Sequence, residues 1–216
     1  MARQQVLVIG LGRFGMAVAR ELERLGHEVL AIDANEEAVN DVAREVTHAV
    51  QLDASDEDAL RGVGADQFQA AIVAISSEAE PSIFATMVLK RLGVRNVIAK
   101  ARDRLHAEIL ARVGADRVIL PEQETGTRLA HSFNVPNVID YLDVGPNFGI
   151  ERVRPPASFV GKSLTELELK SRMGVTPIAL RRGQQVIINP AGEERLAAGD
   201  ELILIGRDDK LEELRG

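Results

Sequence analysis

The sequence contains no cysteine, and aromatic residues make up only 3% of its 216 residues. The absence of cysteine excludes disulfides and thiolate metal sites, and it suits a reducing, cytoplasmic environment. No apolar segment is long enough to span a bilayer, and the opening residues, MARQQ, lack the apolar region of a signal peptide. We therefore expect a soluble cytoplasmic protein, and we expect any membrane role to come through a partner.

The chain is acidic, with a formal net charge of −7. This balance argues against a nucleic-acid-binding protein, which usually carries a basic surface. Apolar residues still make up 45% of the composition, so Val, Ile, Leu and Ala must fill a substantial core. The length allows one large domain or two modest ones.

Short apolar runs alternate with amphipathic segments through the first 120 residues. Continuous β-branched runs separated by helices predict a parallel sheet that is covered on both faces. The pattern indicates an α/β fold, with a doubly wound, Rossmann-like parallel sheet over residues 3–121. The runs are residues 5–10, 28–33, 47–52, 70–75, 96–101 and 117–120.

The pattern changes after this predicted sheet. Pro121 begins a helical segment with acidic residues in its first turn, and we assign residues 122–134 to a helical connector. Residues 135–216 contain a short helical pattern over 163–174 and one further strand near the end. Two apolar runs on either side of Arg182–Gly183 predict a β-hairpin. The sequence thus predicts a second, smaller α+β domain.

A glycine-rich loop follows the first predicted strand. Its sequence is VIGLGRFG, residues 8–15, and its glycines have the G-x-G-x-x-G spacing. In such loops Gly10 permits the tight turn, Gly12 lets the backbone approach phosphate, and Gly15 lets the next helix pack on the sheet. The loop predicts a nucleotide site at a helix N-terminus, although a tight turn without ligand uses the same residues.

Three more residues near the loop belong to this predicted site. Asp33 ends the second strand, where its carboxylate accepts hydrogen bonds from ribose hydroxyls and repels a 2′-phosphate, which argues against NADP. Arg13 and Phe14 lie within the loop itself. Arg13 suits equally a solvated position in the first helical turn and a guanidinium that contacts phosphate oxygens.

Other candidates lie at the carboxyl ends of later strands, because ligands of open α/β sheets bind at that edge. Lys100, inside an apolar strand, needs an anionic partner or else an edge position with its amine in solvent. Asp53 is as well suited to capping a helix near Ser55 as to contacting a ligand. The candidates are Asp53, Ala54, Ile75, Ser76 and Lys100.

With these residues in place, the chain resembles the RCK family (regulators of K⁺ conductance), specifically the cytosolic regulatory subunits of Trk- and Ktr-type potassium transporters. The resemblance extends over nearly the whole chain. The glycine loop alone suits any Rossmann protein, whereas its combination with the small C-terminal domain is far more specific. The motifs are VIGLGRFG, GHEVLAID, DAS (53–55), AKARD (99–103), GADRVILPE (114–122), GKSLTELELKSRMGVTPIALRRG (161–183) and GDELILIG (199–206).

The resemblance implies a regulatory protein rather than an enzyme. Subunits of this family bind ATP or ADP, and in some members NAD(H), without turnover. They form homodimers, and four dimers make an octameric ring beneath a membrane-embedded potassium channel subunit. The identity of the nucleotide changes the shape of the ring and so gates the pore.

The resemblance also implies roles for particular residues. Arg13 has the position of an arginine that reaches a γ-phosphate across a dimer interface. Glu122 has the position of a glutamate that helps to bind a divalent cation, Mg²⁺ or Ca²⁺, although it suits helix-dipole complementarity after Pro121 equally well. The C-terminal domain binds cyclic di-AMP in some members. Residues 175–178 and 186–189 could line such a site or form a plain dimer core.

Two other classes of function fit the sequence less well. An NAD-dependent dehydrogenase needs a proton donor or acceptor, typically His or Lys, beside the nicotinamide. The histidines are scattered, without the H-x-x-x-H spacing of a metal site, at His27, His48, His106 and His131. A redox-sensing DNA-binding repressor would carry a helix-turn-helix segment and an excess of basic over acidic residues. We therefore favour a nucleotide sensor.

Overall fold

The computed structural model describes residues 3–75, 78–133 and 138–213. These residues belong to two compact units, Met1–Pro121 and Glu122–Gly216. The treatment of residues 122–134 as a separate connector stays a prediction.

The first unit contains a parallel sheet of strands β1 (Gln5–Ile9), β2 (Glu28–Asp33), β3 (His48–Gln51), β4 (Ala70–Val73), β5 (Asn96–Lys100) and β6 (Arg117–Ile119). Their order across the sheet is β3-β2-β1-β4-β5-β6, and every pair is parallel. The chain winds outward in opposite directions from β1 and β4, which leaves a crevice at their carboxyl ends. The predicted doubly wound α/β fold is confirmed.

Helices α1 (Arg13–Arg24), α2 (Glu36–Val42), α3 (Glu57–Gly62), α4 (Ala79–Arg91) and α5 (Arg104–Arg112) connect these strands. Successive residues of a strand point to opposite faces of a sheet. In β1, Leu7 packs in a core with Leu89 of α4, whereas its neighbour Val8 packs in a second core with Ala19 of α1. The sheet is therefore buried on both faces, as the continuous apolar runs predict.

The second unit contains helices α6 (Pro121–Phe133), α7 (Leu164–Leu167), α8 (Leu169–Met173) and α9 (Asp208–Glu213), and strands β7 (Val138–Gly145), β8 (Phe148–Val153), β9 (Val175–Arg182), β10 (Gln185–Ile188) and β11 (Glu201–Arg207). The strands form one antiparallel sheet in the order β10-β9-β11-β8-β7. Leu180 and Leu202 on one face pack with Leu167, Leu169 and Leu211 of the short helices. The predicted α+β domain is confirmed.

Local details of the second unit differ from the sequence pattern. The predicted hairpin is present, with Arg182 paired to Gln185 across a two-residue turn. The single helix predicted over 163–174 is wrong, because Glu168 adopts a φ of 48° and divides the segment into α7 and α8. The sequence did not predict β7, whose mixed apolar and acidic residues become a strand by pairing with β8.

Candidate functional site

The three glycines of the loop have three different environments. Gly10 adopts a φ of 94°, and a Cβ there would lie 2.8 Å from the Ile75 nitrogen, so only glycine fits. A Cβ on Gly15 would collide with the Gly10 carbonyl oxygen, which shows how tightly α1 packs on the loop. A Cβ on Gly12 would meet nothing within 4 Å. The open side of Gly12 is therefore where a ligand can approach the backbone.

Helix α1 begins directly at this loop. Gly12 is its N-cap residue and provides no side-chain cap, and the first helical hydrogen bond runs from the Met16 N–H to the Gly12 carbonyl at 2.9 Å. The N–H groups of a first helical turn have no partners within the helix, and the helix dipole adds partial positive charge there. Exposed Arg13 lies in that turn. The loop and helix end together make an anion-binding position.

The carboxylate of Asp33 connects the loop to the end of β2. Its Oδ2 accepts a hydrogen bond from the Leu11 N–H at 2.6 Å, and its Oδ1 accepts one from the Asn35 N–H at 2.8 Å. A carboxylate has about four lone-pair positions, so two acceptor positions remain for ligand hydroxyls. Asp33 therefore both shapes the loop and can accept hydrogen bonds from a ribose.

A cleft of about 650 Å³ opens above the carboxyl ends of the strands. Its volume falls within the range of roughly 300–1,000 Å³ that is typical of small-molecule and cofactor sites. The predicted residues Gly10, Gly12, Asp33, Asp53, Ala54 and Ile75 line it. Residues that the sequence reasoning did not select also line it: Ile9, Leu11, Ala34, Asn35, Ala38, Leu52, Ser55, Ala74, Glu78 and Pro81.

Some of these residues carried a signal that could have revealed them. Asn35 follows a strand and precedes two glutamates, which is a helix-start pattern, and it caps α2 by accepting from the Glu37 N–H at 2.8 Å. Glu78 precedes α4 without a side-chain cap hydrogen bond, and no local motif distinguishes it. Predicted Ser76 lies outside the described residues.

Asp53 has a different role from the helix cap that the sequence allowed. Its Oδ1 accepts hydrogen bonds from the Ser55 N–H at 2.9 Å and from the Ser55 hydroxyl at 2.7 Å, which lowers the pKa of its carboxyl. Helix α3 begins at Glu57, and Asp56 is its N-cap. The possibility that Asp53 caps a helix near Ser55 is therefore wrong, whereas its place in the cleft suits a ligand contact.

Lys100 and Phe14 lie together beside the cleft rather than in its lining. The Lys100 side chain is buried, and its Nζ lies 5.5 Å from the centroid of the Phe14 ring. This distance suits a cation–π interaction, which connects the end of β5 to the first turn of α1. The Phe14 ring thus gives the buried ammonium of Lys100 a favourable contact, and a direct ligand contact by Lys100 stays a prediction.

The histidines of the described residues lie away from the cleft lining. His106 is buried, where its Nδ1 accepts from the Arg102 N–H at 3.3 Å and its Nε2 lies 2.8 Å from the Ser82 hydroxyl. Burial and the nearby Arg102 charge lower the pKa of His106. His27 accepts a hydrogen bond from the Gln4 N–H. These contacts give both residues structural roles, and the side chain of His131 is outside the described residues.

Glu122 lies in the first turn of α6. Among the residues that the structure describes, no group of three or more His, Cys, Asp or Glu side chains is arranged to hold a metal ion. The divalent-cation role of Glu122 stays a prediction.

The proposed cyclic di-AMP segments occupy different layers of the second unit. Val175 is buried in its core, while Val186 and Ile188 are exposed on the edge strand β10. A ligand at these segments stays a prediction. In the part of the chain that the structure describes, no helix is long and apolar enough to cross a membrane.

Comparisons with known proteins agree with this architecture. Residues 6–121 match the TrkA-N domain, and residues 150–216 match the TrkA-C domain. The Ktr system potassium uptake protein A of Bacillus subtilis (strain 168) is 37% identical over 203 residues, covering 94% of this chain and 91% of the relative. Protein A of Vibrio alginolyticus is 35% identical over 208 residues, covering 96% and 94%.

Solved structures share the fold. The GsuK RCK domain has a TM-score of 0.70 at 19% identity, and the match covers 99% of this chain and 47% of that one. The GsuK channel bound to NAD has a TM-score of 0.69 at 19% identity, with 100% and 40% covered. This chain thus spans less than half of those solved chains, and the likeness concerns the fold.

Proposed function

Since the chain belongs to the family of TrkA-N and TrkA-C domain proteins, we propose that it is a nucleotide-sensing regulatory subunit of a potassium uptake system. It binds ATP or ADP, or alternatively NAD(H), in the glycine-loop cleft and does not convert the nucleotide. The observation that carries this proposal is the cleft itself, where open space over Gly12 meets a helix N-terminus and the Asp33 carboxylate.

The lining of the cleft supports a sensor more than a dehydrogenase. The described residues that line it include no histidine, the group that most often moves a proton in catalysis, and no lysine, tyrosine or cysteine. Two of its three carboxylates, Asp33 and Asp53, are already held by hydrogen bonds to the surrounding loops. The described histidines are engaged elsewhere or exposed. Binding without turnover is the function that these residues support.

Regulation follows from differential binding. A nucleotide shifts a two-state equilibrium only by the difference in its affinities for the two states. ATP and ADP differ in the γ-phosphate, so a cationic group that reaches this phosphate must supply the difference. Arg13 is the proposed group, with a divalent cation held by Glu122 as its proposed partner. A coupling of about 1–3 kcal/mol is sufficient for useful regulation.

The Ktr relatives support a membrane-embedded potassium channel subunit as the partner, with this chain on its cytoplasmic face. Homodimers that assemble into an octameric ring are part of the proposal. Large apolar side chains are exposed toward both edges of the sheet of the second unit, where self-association could bury them. They are Leu142, Val144 and Phe148 on β7 and β8, and Val186 and Ile188 on β10.

Two measurements test the proposal together. Calorimetry with ATP, ADP, NADH and NADPH should show saturable binding of at least one of the first three, without product formation. Potassium flux through a Ktr-type channel subunit in proteoliposomes should depend on this protein and differ between ATP and ADP. Binding without any effect on flux would contradict the regulatory role, and oxidation of a substrate with NAD(H) would favour the dehydrogenase.

A further inference from the structure

The cleft that we assign to a nucleotide is acidic. Its described lining includes three carboxylates, Asp33, Asp53 and Glu78, and neither lysine nor arginine. The positive contribution comes from the end of α1 and from Arg13 in its first turn. A phosphate group that binds at the glycine loop therefore shares one cleft with three negative side chains.

The three carboxylates are not equivalent. Asp33 accepts hydrogen bonds from the N–H groups of Leu11 and Asn35, and Asp53 accepts them from Ser55. These bonds hold the two aspartates in place and offset part of their charge. Glu78, by contrast, has neither a hydrogen bond nor an ion pair within the described residues, and its side chain is exposed.

Glu78 is the N-cap of α4, but its side chain makes no cap hydrogen bond. Its charge still interacts favourably with the positive end of the helix dipole, and this contribution is one that Glu80 in the first turn of the same helix shares. Glu80, two residues further along the same helix, is exposed and does not line the cleft. The two glutamates share a helix end and differ in their access to the ligand.

We propose that Glu78 is a specificity-determining residue that selects nucleotides by net charge. Its carboxylate, which has no hydrogen bond or ion pair among the described residues, opposes each added phosphate charge, so the cleft takes ATP as a divalent-cation complex in preference to the metal-free tetra-anion. At distances typical of one ligand site, solvent-screened repulsion costs about 1.5- to 1.8-fold in affinity for each ligand charge, which for the four charges of ATP multiplies to about five- to tenfold. This inference rests on the proposed nucleotide site and names the charge state that the site accepts.

The test compares Glu78→Gln with the matched control Glu80→Gln in the full-length protein. Calorimetry measures the Kd of adenosine, ADP and ATP in EDTA, and of ATP with excess Mg²⁺. We expect Glu78→Gln to lower the Kd of metal-free ATP by about five- to tenfold and that of ADP by less, and to leave the Kd of adenosine unchanged. The gain should shrink at high salt and with Mg²⁺, and Glu80→Gln should change none of the four values by more than about twofold.

The outcomes separate this inference from the function on which it rests. One outcome is that the wild-type protein binds nucleotides while Glu78→Gln changes the Kd values of adenosine and ATP equally, or changes neither Kd. In that case the proposed selection by charge is wrong, and the nucleotide site stands. An equal gain from Glu80→Gln would also overturn it, because general surface charge would then be the cause. If no adenine nucleotide binds to the wild type with or without Mg²⁺, both the site and the inference are wrong.

Discussion

The Leu11 N–H donates a 2.6 Å hydrogen bond to the Asp33 carboxylate, which joins the glycine loop to the end of the neighbouring strand. Leu11 is almost fully buried, so this N–H has no solvent to replace its partner. The residue that we propose to select the ribose thus also holds the loop that we propose to bind the phosphates. A substitution at Asp33 changes both the shape of the site and its chemistry.

We expect wild-type protein to bind NADH more tightly than NADPH, because Asp33 repels the 2′-phosphate. Asp33→Asn keeps one acceptor oxygen and removes the charge, so it should reduce the ratio of the Kd of NADPH to the Kd of NADH. Asp33→Ala leaves the Leu11 N–H unpaired and should lower the free energy of unfolding by about 1–3 kcal/mol. Calorimetry and urea denaturation measure the two effects, and a wild-type preference for NADPH would contradict the role of Asp33.

The glycines permit a sharper separation of binding from folding. Gly12→Ala should fold, with a stability loss of about 1 kcal/mol or less, because its Cβ enters open space. The same Cβ occupies the approach to the loop, so nucleotide affinity should fall by at least about tenfold, a cost of about 1.4 kcal/mol. Equal nucleotide affinities of Gly12→Ala and wild type would show that phosphate does not bind at this position.

Gly15→Ala is the companion variant. Its Cβ would collide with the Gly10 carbonyl oxygen, and this atom belongs to the backbone and cannot move aside cheaply. We expect a loss of stability of about 1–3 kcal/mol or more, visible in thermal unfolding without any ligand. Wild-type stability in Gly15→Ala would contradict the tight packing of α1 on the loop.

Arg13→Ala distinguishes the two roles of that arginine. If the guanidinium contacts the terminal phosphate, ATP should lose affinity by about tenfold to a hundredfold, from a charge-assisted bond of about 1.5–3 kcal/mol, while ADP changes little. The control is Arg24→Ala, which removes an exposed arginine from the other end of α1. Small-angle scattering should also show that the shape of the proposed ring differs less between ATP and ADP in this variant than in the wild type. Equal weakening of both nucleotides would leave Arg13 as a solvated residue of the first turn.

Buried His106 should make the first unit sensitive to mild acid. Its Nδ1 accepts a hydrogen bond from the Arg102 N–H, so protonation of Nδ1 removes this bond. Burial and the Arg102 charge lower the pKa of His106, and the Asp103 charge opposes them with a smaller effect. Below the pKa of His106 in the unfolded chain, this histidine therefore binds a proton in the unfolded chain more readily than in the folded chain. The free energy of unfolding should therefore fall as pH drops below about 6.5, by at most about 1.4 kcal/mol per pH unit.

Urea denaturation between about pH 5 and pH 8 measures this dependence. His106→Asn keeps an acceptor for the Arg102 N–H and removes the titration, so its stability should depend less on pH than that of the wild type. Exposed His48→Gln is the matched control and should retain the wild-type profile. An unchanged profile in His106→Asn would assign the acid sensitivity to other groups.

The sequence by itself determined the parallel sheet, the glycine loop and Asp33, because each depends on local pattern. Continuous apolar runs require burial on both faces, and the spacing of Gly10, Gly12 and Gly15 follows from backbone geometry over a few residues. The strand order 3-2-1-4-5-6 then brings the ends of β1, β2 and β4 to one edge. That edge is where the predicted residues of the lining meet.

Only the tertiary structure decided how the remaining side chains are used. The sequence allowed Asp53 to cap a helix near Ser55, and the position at which α3 starts assigns the cap to Asp56 instead. Lys100 meets Phe14 because β5 and α1 come together across the sheet, although 86 positions separate them in the chain. Glu78 belongs to no motif, and it gained its place in the cleft from the packing of α4 beside β4. Contacts between residues distant in sequence depend on this packing, which no local pattern encodes.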